Sequence, residues 1–370
     1  MKILFYLHHP SQYHLFKNAI SALKAKKHDC IIFAVEKDIL TNLLKLDKIN
    51  YINNMPDRRR DNKFAMAVGC MKQDWGLLRY CLADRPDILI GTSVEICHIG
   101  YLLKIPAFIF SEDDANIISL ASKIGYPFAR GIISPSVCSA GKWEKKKIGY
   151  FGYQKLAYLH PNRFIPDRKI LKKYVSLSEP FFFLRLVKLT AYHDTRVNGI
   201  SKDIMQKILN ILSPNGNIYI NSEYPIPKEF ERYRLDIDIR LIHHLLYYAD
   251  LYIGDSQSMA VEAAVLGTPG IRFSDFSGRI SVLEELEHKY ALTTSVKANN
   301  TDKLFDTIKK MLNSNNLKDQ YKSNKYKMLA DKIDVTSFIV WFIENYPESF
   351  TIMKNNPLYQ EVFRTNGEKL

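Results

Sequence analysis

Cysteine is sparse in this chain and shows no pairing pattern. The five cysteines (Cys30, Cys70, Cys81, Cys97, Cys138) are odd in number, widely spaced and include no Cys-x-x-Cys. That argues against a disulfide framework or a structural zinc site. No apolar run approaches the ~20 residues needed to span a bilayer. The opening "MKILFYLHHP" has too short an apolar run for a signal-peptide core, and no small-residue cleavage site follows, so it is expected to be a first strand. There is no GxGxxG, and Gly141-Lys142 lacks the upstream glycine of a Walker A loop. Neither repeats nor low-complexity tracts occur. These absences together predict a cytoplasmic protein.

What is present is a globular composition, 46% hydrophobic and 25% charged over 370 residues, enough for two domains of ordinary size. The formal net charge of +13 calls for an anionic partner. Basic residues are spread along the chain in short clusters such as Arg58-Arg59-Arg60 and Lys145-Lys146-Lys147, and no zinc-finger, RNP or helix-turn-helix pattern accompanies them. A phosphate-bearing small molecule ranks first as partner, an anionic membrane face second. No nucleic-acid partner is expected.

Apolar runs rich in β-branched and aromatic residues alternate with amphipathic segments. Strands are expected at 2–7, 30–35, 87–91, 107–110 and 131–136, then at 180–187, 216–223, 250–255, 269–273 and 290–295. "SQYHLFKNAISALKAKK" places Tyr13, Phe16, Ile20 and Leu23 on one helical face. The fold class predicted is α/β, two Rossmann-like doubly wound domains facing a cleft. "YFGYQKLAYLHPNRFIPDRK" interrupts the alternation and reads as a crossover. The boundaries expected are an N-terminal domain over 1–160, a C-terminal domain over 161–345 and a loosely ordered tail over 346–370.

"DLYIGDSQSMAVEAAVLGTPGIRF" (250–273) ends a strand in a bare polar turn and enters an Ala-rich helix. In an open α/β sheet ligands bind at such strand ends. A helix N-terminus presents free N–H groups and partial positive charge, which suits phosphate. Glu262, one turn further in, can accept hydrogen bonds from vicinal ribose hydroxyls; an ordinary capped helix with a solvated Glu262 reads equally well from spacing alone.

The segment "YIGDSQSMAVEAAVLGTPGI" resembles the nucleotide-binding segment of GT-B-type sugar-nucleotide enzymes, the group holding UDP-N-acetylglucosamine 2-epimerases and many glycosyltransferases. The chain is similar above all to an uncharacterised domain-of-unknown-function branch. The shared motifs are His9, Pro10, His14, Phe16 and Lys17, the stretch Gly152 to Asp167, and "LLYYADLYIG", so that the resemblance spans about residues 1 to 310. It implies a diphosphate held by Ser256, Gln257 and Ser258 and a ribose bound by Glu262. Many relatives carry two glycines where this chain has Gln257-Ser258, which bears on how the phosphate is contacted. It also implies that the His-Arg-rich stretch after the strand at 180–187 reaches phosphate. Arg185 and His193 are the favoured contacts there, with Asp194 and Arg196 beside them.

In the first half, His9 ends a strand and is a candidate base. His8, His9 and His14 make a poor metal cluster, since adjacent strand residues point to opposite faces. Glu112, Asp113 and Asp114 end another strand; they are candidate bases, or acids complementing a helix dipole. The epimerases' Gly-Asp-Thr is matched here by Gly91-Thr92-Ser93, which lacks the Asp. Asp236-Ile237-Asp238 is expected to be solvated surface, and His243 either touches ligand or packs on a helix. The activity expected is a metal-independent glycosyltransferase of GT-B type, needing no cofactor. It would use a nucleotide-diphosphate sugar, UDP-linked as first choice, in surface polysaccharide or glycolipid synthesis. Its acceptor would be a saccharide or lipid-linked molecule, and the inner membrane face a peripheral contact. His9, Glu112 and Asp113 are the candidate bases. The alternatives are a sugar-nucleotide 2-epimerase and a non-catalytic nucleotide-sugar-binding protein.

Overall fold

The structure is a computed structural model that describes residues 1–35, 38–54, 63–187 and 199–364. The chain divides into two compact units, Met1–Tyr158 with Lys332–Arg364, and Leu159–Asp331. Each is an α/β unit built on a parallel sheet, the fold class read from the sequence.

The first unit holds β1 (Lys2–Leu7), β2 (Asp29–Ala34), β3 (Ile52–Asn53), β4 (Ile88–Gly91), β5 (Ala107–Phe110), β6 (Gly131–Pro135) and β7 (Lys147–Tyr150). They lie in the order β3-β2-β1-β4-β5-β6-β7. β1, β4, β5 and β6 are buried along their whole apolar lengths, as strands covered on both faces must be. The helix Pro10–Ala25 buries Tyr13, Phe16, Ile20 and Leu23, the face its periodicity predicts. The two strands missed from sequence are outer strands: β3 has only two residues, and β7, "KIGY", interrupts its apolar residues with a lysine and a glycine.

The second unit holds β8 (Phe181–Leu186), β9 (Asn217–Ser222), β10 (Leu251–Gly254), β11 (Gly270–Phe273) and β12 (Thr294–Val296), in the order β12-β11-β10-β8-β9. The chain moves outward from β8 to β9, then crosses back to lay β10 on the other side of β8. The strand order therefore reverses between β8 and β10. In the first sheet the same reversal falls between β1 and β4. Each reversal opens a crevice at the carboxyl ends of two neighbouring strands, the usual ligand position in such sheets.

The C-terminal segment departs from the expected boundaries. The sequence pattern puts residues 332–345 in the second domain and 346–370 in a loose tail, yet Lys332–Arg364 belongs to the first unit. The helix Val335–Glu344 buries Phe338, Ile339, Phe342 and Ile343 completely. Phe108 of β5 meets Phe342 edge-on at 5.1 Å and Tyr346 at 5.2 Å. Within the tail, Gln360 is fully buried and joins Phe151 N (2.5 Å) to Gly149 O (3.2 Å) beside β7. The reason is coverage: an apolar sheet face needs a helix on it, and this aromatic helix supplies one. Phe342→Ala is expected to cost about 3–5 kcal/mol, read as a lower midpoint in a urea unfolding curve.

Candidate functional site

At the reversal in the second unit, Gly254 of β10 pairs with Arg185 of β8. A Cβ on Gly254 would stand 2.7 Å from Arg185 O, so the approach of the two strand ends requires glycine. Asp255 follows, 3% exposed, and its Oδ1 accepts the Val187 N–H at 2.9 Å. Burial pushes its carboxyl up to about 6, opposed by backbone hydrogen bonds from Val187 and Ile200. These two residues lie on either side of residues 188–198, so one buried carboxylate is bonded near both described ends that border that segment. His193, Asp194 and Arg196 lie outside the described residues.

Ser256 then caps the helix Gln257–Leu266, its Oγ accepting Met259 N at 3.3 Å. The first N–H groups of a helix have no carbonyl to bond within it, so Gln257 and Ser258 present theirs at the crevice, and Ser258 is exposed. Gln257 does not act as a bulky replacement for glycine. Its side-chain nitrogen donates to Ser274 Oγ (2.7 Å) and its oxygen accepts from Arg272 Nη1 (2.8 Å). Arg272 is fully buried, its guanidinium also on Ser295 Oγ at 2.7 Å. The helix start is thus tied to the ends of β11 and β12, a link between residues far apart in sequence.

Glu262 is not on a solvated face. It is 6% exposed and lies 3.3 Å from Nε2 of His243, itself 5% exposed. His243 is held on the helix Ile242–Tyr248, and its neighbour His244 accepts Asp167 N at 2.9 Å through Nδ1. So the "PD" of the crossover motif anchors the helix that carries Glu262's partner. Arg185 lies at the crevice with its charge already met: Nη1 donates to Asn221 and Nη2 pairs with Glu223, both at the carboxyl end of β9. The structure brings Arg185, Ser256, Gln257, Ser258 and Glu262 to one strand-end region. Of these, Gln257 and Arg185 are bonded to side chains from neighbouring strands, Ser256 caps its own helix, and Glu262 is paired with His243.

In the first unit the candidate bases are arranged differently from expectation. His9 is exposed and caps the helix Pro10–Ala25; its Nδ1 accepts the Ser11 N–H at 3.2 Å and lies 2.8 Å from Ser11 Oγ. An acceptor Nδ1 puts the ring proton of the neutral imidazole on Nε2, which makes His9 a donor in this geometry. Glu112 is clasped: Oε2 meets Lys155 Nζ at 2.6 Å and Oε1 accepts Gln154 N at 2.5 Å, both from the crossover. Asp113 is exposed, and Asp114 is buried with Oδ1 on Ser139 N at 2.7 Å. β4 lies between β1 and β5, so His9 and these acids follow strands about 10 Å apart.

The pair at the β1–β4 reversal itself is His8 and Glu95. His8 leaves β1, and Glu95 opens the helix Glu95–Leu103 with its side chain 3% exposed; Nε2 and Oε2 are 3.9 Å apart. The histidines of the first motif have three separate surroundings, His8 near Glu95, His9 at the cap and His14 packed against Tyr158 at 5.2 Å. Glu95 was missed because it lies three residues past Gly91-Thr92, inside an apolar helix start. The signal that could have found it is that lone carboxylate in "SVEICHIG".

The Asp255 carboxyl holds its proton more tightly in the folded state than at its ordinary 3.8. Its contribution to stability is therefore full below pH ~4 and lost as the pH rises through about 6. Asp255→Asn keeps an oxygen for the Val187 N–H. Between about pH 4 and pH 7 it should gain stability relative to the parent by on the order of 3 kcal/mol, measured by urea unfolding of both proteins at each pH.

Comparison with known proteins agrees with this description. A Staphylococcus aureus MnaA–UDP co-structure superposes with a TM-score of 0.69 at 12% identity, covering 95% of this chain and 98% of its own. A UDP-GlcNAc 2-epimerase from Neisseria meningitidis bound to UDP-GlcNAc gives 0.60 at 13%, covering 89% and 99%. The spinosyn rhamnosyltransferase SpnG complexed with spinosyn aglycone gives 0.61 at 14%, covering 93% and 100%. Identities this low carry the fold alone. No curated protein matches the chain. The family described as "Protein of unknown function (DUF354)" matches over residues 1–343. The chain belongs to that family.

Proposed function

We propose that the chain is a nucleotide-sugar-dependent glycosyltransferase that needs no metal ion. It would use a UDP-linked sugar and a saccharide or lipid-linked acceptor in surface polysaccharide or glycolipid synthesis. The observation that carries the reading is the β8–β10 strand end, where a helix N-terminus with exposed Ser258 is joined, one turn on, to the Glu262–His243 pair. The first feature suits a diphosphate, the second a ribose. Structural neighbours caught with UDP and with UDP-GlcNAc support the same class of ligand.

In the reaction, the acceptor hydroxyl oxygen bonds to the anomeric carbon as the bond from that carbon to the diphosphate oxygen breaks. The leaving diphosphate gains negative charge, which the Gln257 and Ser258 N–H groups and the helix dipole stabilise. The acceptor's proton needs one base. We place it at His8, with Glu95 stabilising the imidazolium that results, and give His9 Nε2–H the part of a donor to the acceptor. Glu112, satisfied by Lys155, serves the crossover instead. The 2-epimerase reading requires acid and base groups to remove and return a carbon-bound proton. The Thr at 92, where such enzymes have Asp, and the clasped Glu112 weigh against it.

Calorimetric titration tests the donor half. UDP should bind in preference to GDP, TDP and CMP, and Glu262→Gln should weaken it by about tenfold or more, the worth of a charge-assisted hydrogen bond. Absence of binding by any nucleoside diphosphate would overturn the reading. Release of UDP from UDP-N-acetylglucosamine tests the chemistry: His8→Gln and Glu95→Gln should slow it by about 10²-fold or more with UDP affinity unchanged. Inversion at C2 of the sugar without UDP release, seen by NMR, would return the epimerase. Binding without any turnover in the parent protein would leave a nucleotide-sugar-binding module.

A further inference from the structure

A cavity of about 970 Å³ opens in the first unit at the amino-terminal ends of β5, β6 and β7, the edge opposite to His8 and Glu95. Five of its lining residues are cationic, Lys104, Arg130, Lys145, Lys146 and Lys354, and none is acidic. Two of the five hold the walls. Lys146 Nζ donates to the carbonyls of Tyr126, Pro127 and Ala129, and Lys354 Nζ to those of Lys145 and Lys147. Burial lowers the affinity of both lysines for their protons, and Arg130 adds to this at Lys146. Glu144 acts on Lys354 through its charge, but its carboxylate is turned to Ala140 N at 2.6 Å. The remaining three cations, Lys104, Arg130 and Lys145, are exposed.

Beside these charges stands apolar surface that the fold leaves in water. Tyr101 is 67% and Phe128 39% exposed, and their rings pack at 5.3 Å; the adjacent Leu102 is 62% exposed. Cations converging on one concavity with an aromatic and aliphatic rim match the headgroup level of a lipid layer. There phosphates lie next to the acyl boundary, and aromatic rings and lysine stems partition well. A nucleic-acid strand would instead call for cations spaced along a track. We propose that this face docks on an anionic lipid surface, with a lipid phosphate in the cavity bound by Lys104, Arg130 and Lys145 and with Tyr101, Leu102 and Phe128 at the headgroup level. The site is distinct from both strand-end crevices and does not depend on the sugar-nucleotide reading.

Flotation of the full chain with vesicles tests this, using phosphatidylcholine alone and phosphatidylcholine with phosphatidylglycerol. The parent protein should float with the anionic vesicles only. K104Q/R130Q/K145Q should weaken that binding on the order of a hundredfold, at about fivefold per cation. K303Q/K309Q/K310Q removes the same charge from the exposed face of the helix Thr301–Leu312 and should change it by less than about fivefold. Melting temperatures establish that each variant is folded. If the pocket variant fails that check, Tyr101→Ser with Phe128→Ser, at exposed positions, should reduce flotation instead. Equal losses in the two lysine variants would show that bulk net charge drives binding, and the proposal fails. It fails too if neither vesicle binds, or if only inorganic phosphate or an RNA oligonucleotide binds in a way the pocket variant abolishes.

Discussion

Everything at the second unit's crevice follows from how closely β10 approaches β8. The ends of the two strands are in register at Arg185 and Gly254, with no room for a side chain on the latter. That closeness brings Asp255 to the end of β8, where its carboxylate can reach the Val187 N–H. It also fixes where the next helix starts, and so where the N–H groups of Gln257 and Ser258 emerge. A β-branched or aromatic residue at 254 would part the strands and displace the turn and helix together.

The charged residues picked out by sequence as ligand contacts divide by what else is within reach. Arg185 meets Asn221 and Glu223 because β9 is its neighbour on the far side from β10, an order that comes from the reversal and not from adjacency in the chain. Glu112 meets Lys155 because β5 ends near the start of the crossover. A buried or half-buried charge without a partner is costly, so a fold that brings opposite charges together will pair them. Residue type and spacing show that a charge stands at a strand end; they do not show whether another segment neutralises it.

The same distinction governs how much could be read beforehand. Ten strands and the first helix were legible, because a buried parallel strand is an apolar run and a sheet-packed helix repeats at 3.6 residues. The turn at 255–258 was legible as a strand-to-helix junction. The role of Gln257 was not, since its partners Arg272 and Ser274 are on β11 and just beyond it. The C-terminal segment is visibly rich in aromatic residues. Its destination did not show: Phe338, Phe342 and Phe350 would suit any apolar sheet face, and only the fold reveals that Phe108 and Tyr150 of the first unit receive them. His8 was passed over for His9 because the two are adjacent and alike, yet one faces Glu95 and the other caps the start of a helix.

Each unit places a His–Glu pair close to its strand reversal, and the exposure of the histidine and the His–Glu distance set the two pairs apart. His243 and Glu262 have side chains 7% and 8% exposed at a hydrogen-bonding distance of 3.3 Å. Excluded from water and held together, they form a fixed acceptor suited to orienting a hydroxyl. His8 is 15% exposed, twice as much, and its 3.9 Å separation from Glu95 is longer than a hydrogen bond. Part of its ring is open to solvent, with the Glu95 carboxylate, 3% exposed, behind it. Recognition needs a partner that does not move, and proton transfer needs one that solvent or substrate can reach. The greater exposure of His8 than of His243 thus fits the proposed split between activating an acceptor and binding a donor.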